Sequence, residues 1–213
     1  MSIIRPTLPP ALRESDDIGL LFDSEDSISG YLISDGLPMN IDHKRVSISD
    51  SRIVKTDLSQ VTLSRFDVLN TEFIGCSFTA SKFPHSSWHT TLIEGARCSG
   101  MQVTESVLKN ITYRNCKLEL ANFRFTRLEN IIFEDCVLDD VDFYSAQLKN
   151  VEFIRCTLNK VTFANARMLK VDISQSTIDG VNGISSLRGV TASYDQIMQL
   201  TPMFAAEAGI KIK

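Results

Sequence analysis

Large apolar residues recur at every fifth position along most of this chain. The series begins at Ile48 and continues without a break to Ile178. The residue two places before each member, from Val46 to Ser176, is never charged and is never Gly or Pro. An α-helix spaces its apolar residues about 3.6 positions apart and a β-strand spaces them two apart. Because neither period fits, the pattern predicts very short strands joined by turns that bend the backbone in one sense every five residues.

A second period, four of these units long, predicts how the short strands are arranged. Two sets of identical residues follow this spacing: Cys116, Cys136 and Cys156, and Asn110, Asn130 and Asn150. Four edges of one unit each close a coil of that length, with the apolar positions facing inward. We therefore expect a solenoid of about seven coils, stacked ~4.8 Å apart.

The alternation of leucine with aromatic residues from Leu108 to Phe163 predicts the packing of the core. Residues four units apart fall in one column, and residues two units apart face each other across a coil. We therefore expect two opposite aromatic columns, Phe123, Phe143 and Phe163 in one and Tyr113, Phe133 and Phe153 in the other. The cysteines at the smaller inward position are interpreted as a column of buried, reduced thiols: Cys76, Cys116, Cys136 and Cys156.

Several units resemble the repeat of the pentapeptide-repeat family, which is approximately Ala-(Asp/Asn)-Leu-x-x. Ala121-Asn122-Phe123 matches this unit closely, and looser matches occur at 56–58, 141–143 and 171–173. The resemblance spans residues 46–180. It implies the fold of that family, an all-β solenoid that is a right-handed quadrilateral parallel β-helix. It also implies a C-terminal dimer contact of the kind that several members form.

The five-residue phase divides the chain into three parts. Residues 46–180 are the regular solenoid. Residues 1–45 are expected to wrap or cap the first coil through Pro6 to Leu12 and the acidic stretch Asp16–Asp26. We further expect an irregular first coil over 28–33 and an excursion around 36–42. Residues 181–213 are the C-terminal cap.

The C-terminal part carries signals for a short α-helical cap. Ser193 followed by Gln196 predicts a capping box that opens a helix over 194–200. Pro202 predicts a second turn or short helix that ends at Gly209. The apolar side chains of this part are candidates both for covering the open core and for a homodimer contact: Ile197, Leu200, Met203 and Phe204.

The sequence lacks the usual patterns of an enzyme. A phosphate loop, a dinucleotide fingerprint, HExxH, Gly-x-Ser-x-Gly and Cys-x-x-Cys are all absent. His85 and His89 fall at outward positions and are interpreted as ordinary surface residues. A coil filled with leucine and phenylalanine leaves no interior pocket. We therefore expect no catalytic activity, no cofactor and no metal site.

Any function must then lie on the outer surface. The formal net charge is −4, and the chain lacks the apolar run of a membrane span. One surface group is unusual because its acids are crowded in sequence or stacked in register. It is our candidate partner-binding patch: Glu119, Glu134, Asp135, Asp139, Asp140, Asp142 and Asp179.

Two function classes fit these observations. The first is a non-enzymatic, cytoplasmic scaffold that binds a protein partner without contacting nucleic acid or membrane. The second comes from the resemblance, because fluoroquinolone-resistance members look like double-stranded DNA in width and charge and occupy the DNA saddle of type II topoisomerases such as DNA gyrase. Residues 46–180 carry nearly equal numbers of acids and bases. DNA mimicry needs a dense negative field, so the first class is favoured.

Overall fold

Parallel pairing between segments one coil apart builds the fold, which is described here from a computed structural model. The structure describes residues 3–16, 18, 26–34 and 42–212. Its strands are β1 (Arg13–Ser15), β2 (Ser27–Ser29), β3 (Tyr31–Ser34), β4 (Asp42–Lys44), β5 (Ser47–Ser49), β6 (Arg52–Val54), β7 (Thr62–Ser64), β8 (Asp67–Ile74), β9 (Ser87–Glu94), β10 (Val107–Arg114), β11 (Arg127–Glu134), β12 (Gln147–Thr162) and β13 (Arg167–Asn182). A 3-10 helix (Ile184–Leu187) and helix α1 (Tyr194–Glu207) follow.

Each coil has four sides, which we number from the coil of residues 107–125. Side one carries 107–109, side two 112–114, side three 117–119 and side four 122–124, with corners at 110, 115, 120 and 125. On sides one and two, strands pair in parallel with the equivalent strands of the next coil, as Leu108 does with Leu128. Single parallel bridges, such as Lys117 with Val137, join successive coils on side three, and similar bridges join them on side four. The predicted all-β solenoid is therefore confirmed.

The solenoid has about eight turns rather than the seven predicted. The additional turn begins before Val46, because β2 pairs with β5 and β3 pairs with β6 in the register of the later coils. The residues predicted as an irregular first coil therefore pair in the same way as the regular coils. The predicted excursion around 36–42 and most of the acidic stretch Asp16–Asp26 lie outside the described residues.

Every corner places a residue in the left-handed region of backbone space. Each fifth residue from Arg45 to Lys170 has φ between 47° and 69°. The corner N–H then donates to a carbonyl of the next coil, that of the residue just before the equivalent corner. Leu120 N lies 3.0 Å from Asp139 O, and Phe125 N lies 3.1 Å from Tyr144 O. Corners are thus hydrogen-bonded between coils as well as bent within them.

The inward side chains form the two aromatic columns that the sequence predicts. Tyr113 stacks on Phe133 and Phe133 on Phe153, each with ring centroids 5.0 Å apart. Across the coil, Phe123 stacks on Phe143 at 5.3 Å. Rings from opposite columns meet edge to face, as Phe123 and Phe133 do. Both geometries are the favourable ones for aromatic pairs, so the core gains specific contacts beyond simple apolar burial.

The five cysteines are free thiols and all are buried. Burial raises the pKa of Cys76 to about 11. A hydrogen bond with the Cys116 thiol and burial raise the pKa of Cys136 to about 12. Thiols in this state stay protonated at neutral pH and act as small apolar residues.

The C-terminal cap is one helix rather than a helix followed by a separate turn. The predicted capping box is present, because Ser193 Oγ accepts from Gln196 N and Gln196 Oε1 accepts from Ser193 N. The prediction that Pro202 starts a second turn or short helix is wrong, since α1 continues through it to Glu207. Leu200 is buried and Met203 packs against the core, which holds both sides of the proline to the solenoid. Gln196 Nε2 also donates to Ile173 O and Ser176 O, which covers carbonyls of the last coil.

The N-terminal segment lies along the outside of the solenoid. β1 pairs with β3, and Arg13 N donates to Gly30 O at 2.8 Å. Further back, the Asn70 side chain accepts from Thr7 N at 2.7 Å and donates to Thr7 O at 2.9 Å. Asn70 lies two coils beyond Gly30, so the residues around Thr7 run across coils, whereas β1 lies at the end of the stack as the edge strand beyond β3.

Two buried hydroxyls have no hydrogen-bond partner among the described residues, those of Tyr113 and Thr157, and the Tyr113 ring lies in the core. Replacing Tyr113 by Phe removes this polar group and keeps the stacked ring. We expect the free energy of unfolding to rise by about 1 kcal/mol, measured by denaturant titration. Tyr144→Phe, at a partly exposed ring, is the control and should change stability little. A loss of stability in Tyr113→Phe would contradict the assignment of an unsatisfied hydroxyl.

Candidate interaction surface

The seven acids predicted as one patch are spread around the solenoid. By the register of the coils, Glu134 lies on side two, Asp135 at the next corner, Glu119, Asp139 and Asp179 on side three, Asp140 at the following corner and Asp142 on side four. Glu119 and Asp139 are direct neighbours in their row, but Asn159 separates Asp139 from Asp179. The acids therefore do not form one continuous stripe.

Arginines neutralise the acids on side two and its corner. Arg114 Nε lies 2.9 Å from Glu134, and Arg155 reaches Glu134 at 2.9 Å and Asp135 at 2.7 Å. The hydrogen bond from Arg114 holds the pKa of the Glu134 carboxyl below its ordinary value, with a further contribution from Arg155. Arg155 has the same effect on the pKa of Asp135. These carboxylates are thus part of a ladder of alternating charges that links successive coils.

The remaining predicted acids also have neighbours. Asp142 pairs with Arg124 at 3.4 Å and accepts from Tyr144 N at 2.7 Å. Glu119 accepts from Ser99 Oγ at 2.9 Å, and Asp139 accepts weakly from Asn159 N at 3.4 Å. Most of this acidity is therefore used in local contacts, which lowers the negative field available to a partner.

The four candidate dimer residues divide into two pairs. Leu200 is buried and Met203 packs on the core of its own chain, so these two hold the helix in place. Ile197 and Phe204 are exposed on α1, where Tyr194 and Met198 are exposed as well. The exposed apolar surface of the helix therefore keeps Ile197 and Phe204 from the predicted set and replaces Leu200 and Met203 by Tyr194 and Met198.

The two predicted surface histidines lie apart from any cluster of ligands. His85 occupies a corner, with Nδ1 3.7 Å from Glu105, and His89 lies on side one. Within the described ranges, no three His, Cys, Asp or Glu side chains converge in a way that could hold a metal ion. In the same part of the chain, no helix combines the length and apolarity needed to cross a bilayer.

Leu120 and Phe125 break the rule that the other corners follow. The remaining corner positions from 45 to 170 hold polar, charged or small residues. Leu120 is 66% exposed and Phe125 is 54% exposed, and both have a left-handed backbone. Other exposed apolar residues, such as Leu69 and Leu169, lie within strands, where their backbone is unstrained.

These two residues flank side four, where other side chains join them. Phe125 meets Tyr144 edge to face at 5.7 Å, and the Arg124 guanidinium lies 4.5 Å from the centre of the Tyr144 ring. Arg124 also pairs with Asp142 at 3.4 Å. We call Leu120, Arg124, Phe125 and Tyr144 the side-four cluster.

Sequence reasoning missed the side-four cluster although a signal was present. The corner falls two places after each large apolar residue, and Leu120 and Phe125 are the large apolar residues found there. A single corner position cannot be recognised in the sequence by its polar residue alone. Only after the corners are known to be left-handed and exposed does an apolar residue at one of them become unusual.

Comparison with known proteins supports this fold. Residues 106–182 match the family model described as a pentapeptide repeat region. The crystal structure of HetL, a pentapeptide repeat protein involved in heterocyst differentiation regulation in the cyanobacterium Nostoc sp. strain PCC 7120, aligns with a TM-score of 0.50 and 13% identity over 78% of this chain and 82% of HetL. At this identity the likeness concerns the fold alone.

Two other solved structures align less closely. QnrB1, a plasmid-mediated fluoroquinolone resistance protein, has 17% identity and a TM-score of 0.35 over 78% of this chain and 99% of its own. Rfr23, from the cyanobacterium Cyanothece 51142, has 14% identity and a TM-score of 0.36 over 67% of this chain and 91% of its own. The chain has no match among curated proteins.

The five-residue unit, the family match and the four-sided coil agree with one another. Within residues 106–182 the chain therefore carries a pentapeptide repeat region.

The charge ladder on side two leads to a prediction about titration. Arg114→Gln removes the main hydrogen bond to Glu134, so the pKa of Glu134 should rise toward the ordinary value of about 4.3. Because the folded-state pKa is depressed, this pair stabilises the protein above the unfolded-state pKa, and the stabilisation is lost as the pH falls through the folded-state value. Carboxyl carbon NMR titration measures the shift.

The matched control is Arg127→Gln, because Arg127 contacts Gln147 rather than an acid. Its Glu134 titration should follow that of the wild type. Identical Glu134 curves in wild type and Arg114→Gln would contradict the role assigned to Arg114.

Proposed function

We propose that this protein is a non-enzymatic scaffold that binds a protein partner through the side-four cluster. The observation that carries the proposal is the pair of large apolar side chains at left-handed, exposed corners. A large apolar side chain at an exposed corner adds no burial to the solenoid itself. A contact with another molecule would explain both.

The energetic argument starts from the backbone. A left-handed conformation costs an ordinary L-residue about 1–2 kcal/mol, whereas Asn, Asp and Gly adopt it more readily. The neighbouring corners at Asn115 and Asn130 contain such a residue. Leu120 and Phe125 carry this cost and also expose apolar area to water. Residues that break a local rule without a structural gain are typical of functional positions.

The chemistry of the cluster is typical of a protein-binding surface. Aromatic residues and arginine are enriched in interface cores and dominate binding energy there. The Arg124 side chain is stacked on Tyr144 and paired with Asp142, so it is ordered before a partner arrives. Ordering in advance lowers the entropy lost on binding. The partner expected is therefore a protein surface with an apolar depression and an acceptor for Arg124.

The charge pattern favours the scaffold over the DNA mimic. A mimic requires a continuous negative stripe, whereas here Arg114, Arg124 and Arg155 neutralise acids on two sides and a corner. The free, buried cysteines suit a reducing compartment, and we propose a cytoplasmic location on that basis.

Substitution of both corner residues tests the scaffold. In Leu120→Asn/Phe125→Asn, both corners gain a residue that tolerates the left-handed backbone, so the free energy of unfolding should rise by about 1 kcal/mol while partner binding is lost. Gln60→Asn, at an exposed polar corner, is the control and should leave binding unchanged. A photo-crosslinking amino acid at position 125 identifies the partner in cells, with position 165 of the same corner column as the control.

The decisive measurement uses the partner that crosslinks at 125 and not at 165, in purified form. Saturable binding to the wild type and to Gln60→Asn, together with loss of binding in the double variant, supports the scaffold. Equal binding by the double variant would refute it. So would the same crosslinked products at 125 and 165.

We further propose that α1 forms a homodimer contact, which would place two side-four clusters in one particle. The support is the exposed apolar group on the helix: Tyr194, Ile197, Met198 and Phe204. Ile197→Glu/Met198→Glu should convert the dimer to a monomer in light scattering after size exclusion. Gln199→Glu, an exposed polar position on the same helix, should remain dimeric. A wild-type monomer at micromolar concentrations would contradict the contact.

A further inference from the structure

Two arginines and a histidine share one corner in successive coils of the solenoid. Arg45, Arg65 and His85 occupy equivalent positions of three neighbouring coils, and each has the left-handed corner backbone. The register is fixed by hydrogen bonds, because Arg45 N donates to Ser64 O and Arg65 N donates to Pro84 O, both at 2.9 Å. The three side chains and Ser64 line a cavity of about 570 Å³. We call these four residues the basic corner.

We propose that the basic corner binds a phosphate group. The site is separate from the side-four cluster, since Phe125 lies two coils beyond His85 in the same corner column. It therefore goes beyond the scaffold function and does not depend on it.

The first argument is the arrangement of charge. Coils lie ~4.8 Å apart, so stacked arginines at one corner repel each other. Several stacked arginines elsewhere in the solenoid have an acid beside them, as Glu72 lies beside Arg52 at 2.6 Å and Asp135 beside Arg155 at 2.7 Å. Arg45 and Arg65 have no such ion pair within the part of the chain whose side chains the structure describes. An anion in the cavity would supply the missing charge.

The second argument is the chemistry of the donors. A guanidinium presents N–H groups in a planar fork that fits the oxygens of a phosphate. Two forks one coil apart, together with the Ser64 hydroxyl and a ring N–H from His85 in the same lining, can surround one phosphate from several directions. Glu105 lies 3.7 Å from His85 Nδ1 and limits the basic character on that side. The positive charge of the basic corner is therefore concentrated on Arg45 and Arg65.

The size of the cavity favours a phosphate monoester over a phosphodiester chain. At about 570 Å³ the cavity exceeds the volume of a phosphate ion and leaves room for the group that carries it. The short basic column contacts one phosphate, whereas a nucleic-acid groove needs a long row of cations along the backbone. The same phosphate chemistry can come from a free small molecule or from a phosphorylated side chain of another protein.

The experiment uses the purified full chain and three probes: inorganic phosphate, phosphoserine and adenosine monophosphate. Binding is followed by NMR at the arginine Nε–H groups and at the backbone of residues 45, 65 and 85, with chloride at equal ionic strength as the reference. Saturable shifts confined to the basic corner are expected. Tighter binding of adenosine monophosphate indicates a small-molecule source, and tighter binding of phosphoserine indicates a phosphorylated protein; equal binding shows that the phosphate alone is recognised.

Variants separate a site from general charge effects. Arg45→Gln/Arg65→Gln should weaken phosphate binding at least tenfold. Arg97→Gln/Arg167→Gln removes the same charge from exposed positions outside the cavity and should stay within twofold of the wild type. Arg45→Lys/Arg65→Lys keeps the positive charge but removes the planar guanidinium groups, so its affinity for phosphate should lie between that of the wild type and that of the glutamine variant. It replaces the glutamine variant if that variant folds poorly.

Two results would overturn the proposal. One is that chloride produces the same shifts as phosphate. The other is that the Arg97/Arg167 variant loses as much affinity as the Arg45/Arg65 variant, since either result would mean non-specific screening.

Discussion

The hydrogen bond from each corner to the next coil is the interaction on which this structure depends. Every fifth residue from Arg45 to Lys170 adopts a left-handed conformation that is unfavourable for most side chains, and at corners such as Leu120 and Phe125 its N–H donates to a carbonyl of the following coil. A corner is therefore stabilised only when the next coil is in place, so coils form as a stack. The same logic explains the ends, where Gln196 covers carbonyls of the last coil and β1 pairs with β3 near the first.

Because the interior is packed with side chains, a binding site must lie on the outer surface. The stacked Phe and Leu columns fill the core of the described coils, and the asparagine ladder from Asn110 to Asn150 joins coils at another corner. Most charged rows serve the same purpose as that ladder. The exposed apolar corners at Leu120 and Phe125 and the stacked arginines of the basic corner differ, because they add backbone cost or charge repulsion to the stack. That difference is the physical reason for assigning both to the binding of other molecules.

Sequence reasoning succeeded where a residue's environment depends on its position in the repeat. The inward columns of Phe123 and Tyr113, the buried cysteines and the Ser193–Gln196 capping box follow from spacing alone. It failed at Pro202, because packing of Leu200 and Met203 on the solenoid outweighs the local preference of proline. It also predicted one continuous acidic patch, which is not present, because acids that are close in sequence, such as Asp135 and Asp142, lie on different sides of the coil.

The sequence alone determined the period, and the period determined which side chains face inward and which face solvent. Covalent geometry makes this possible, because a bend repeated every five residues leaves a single way to bury the apolar positions. The tertiary structure decided which outer residues become neighbours, since these belong to different coils and interact only across the stack. The pairing of Arg155 with Asp135 and the meeting of Arg45, Arg65 and His85 around one cavity arise at that level.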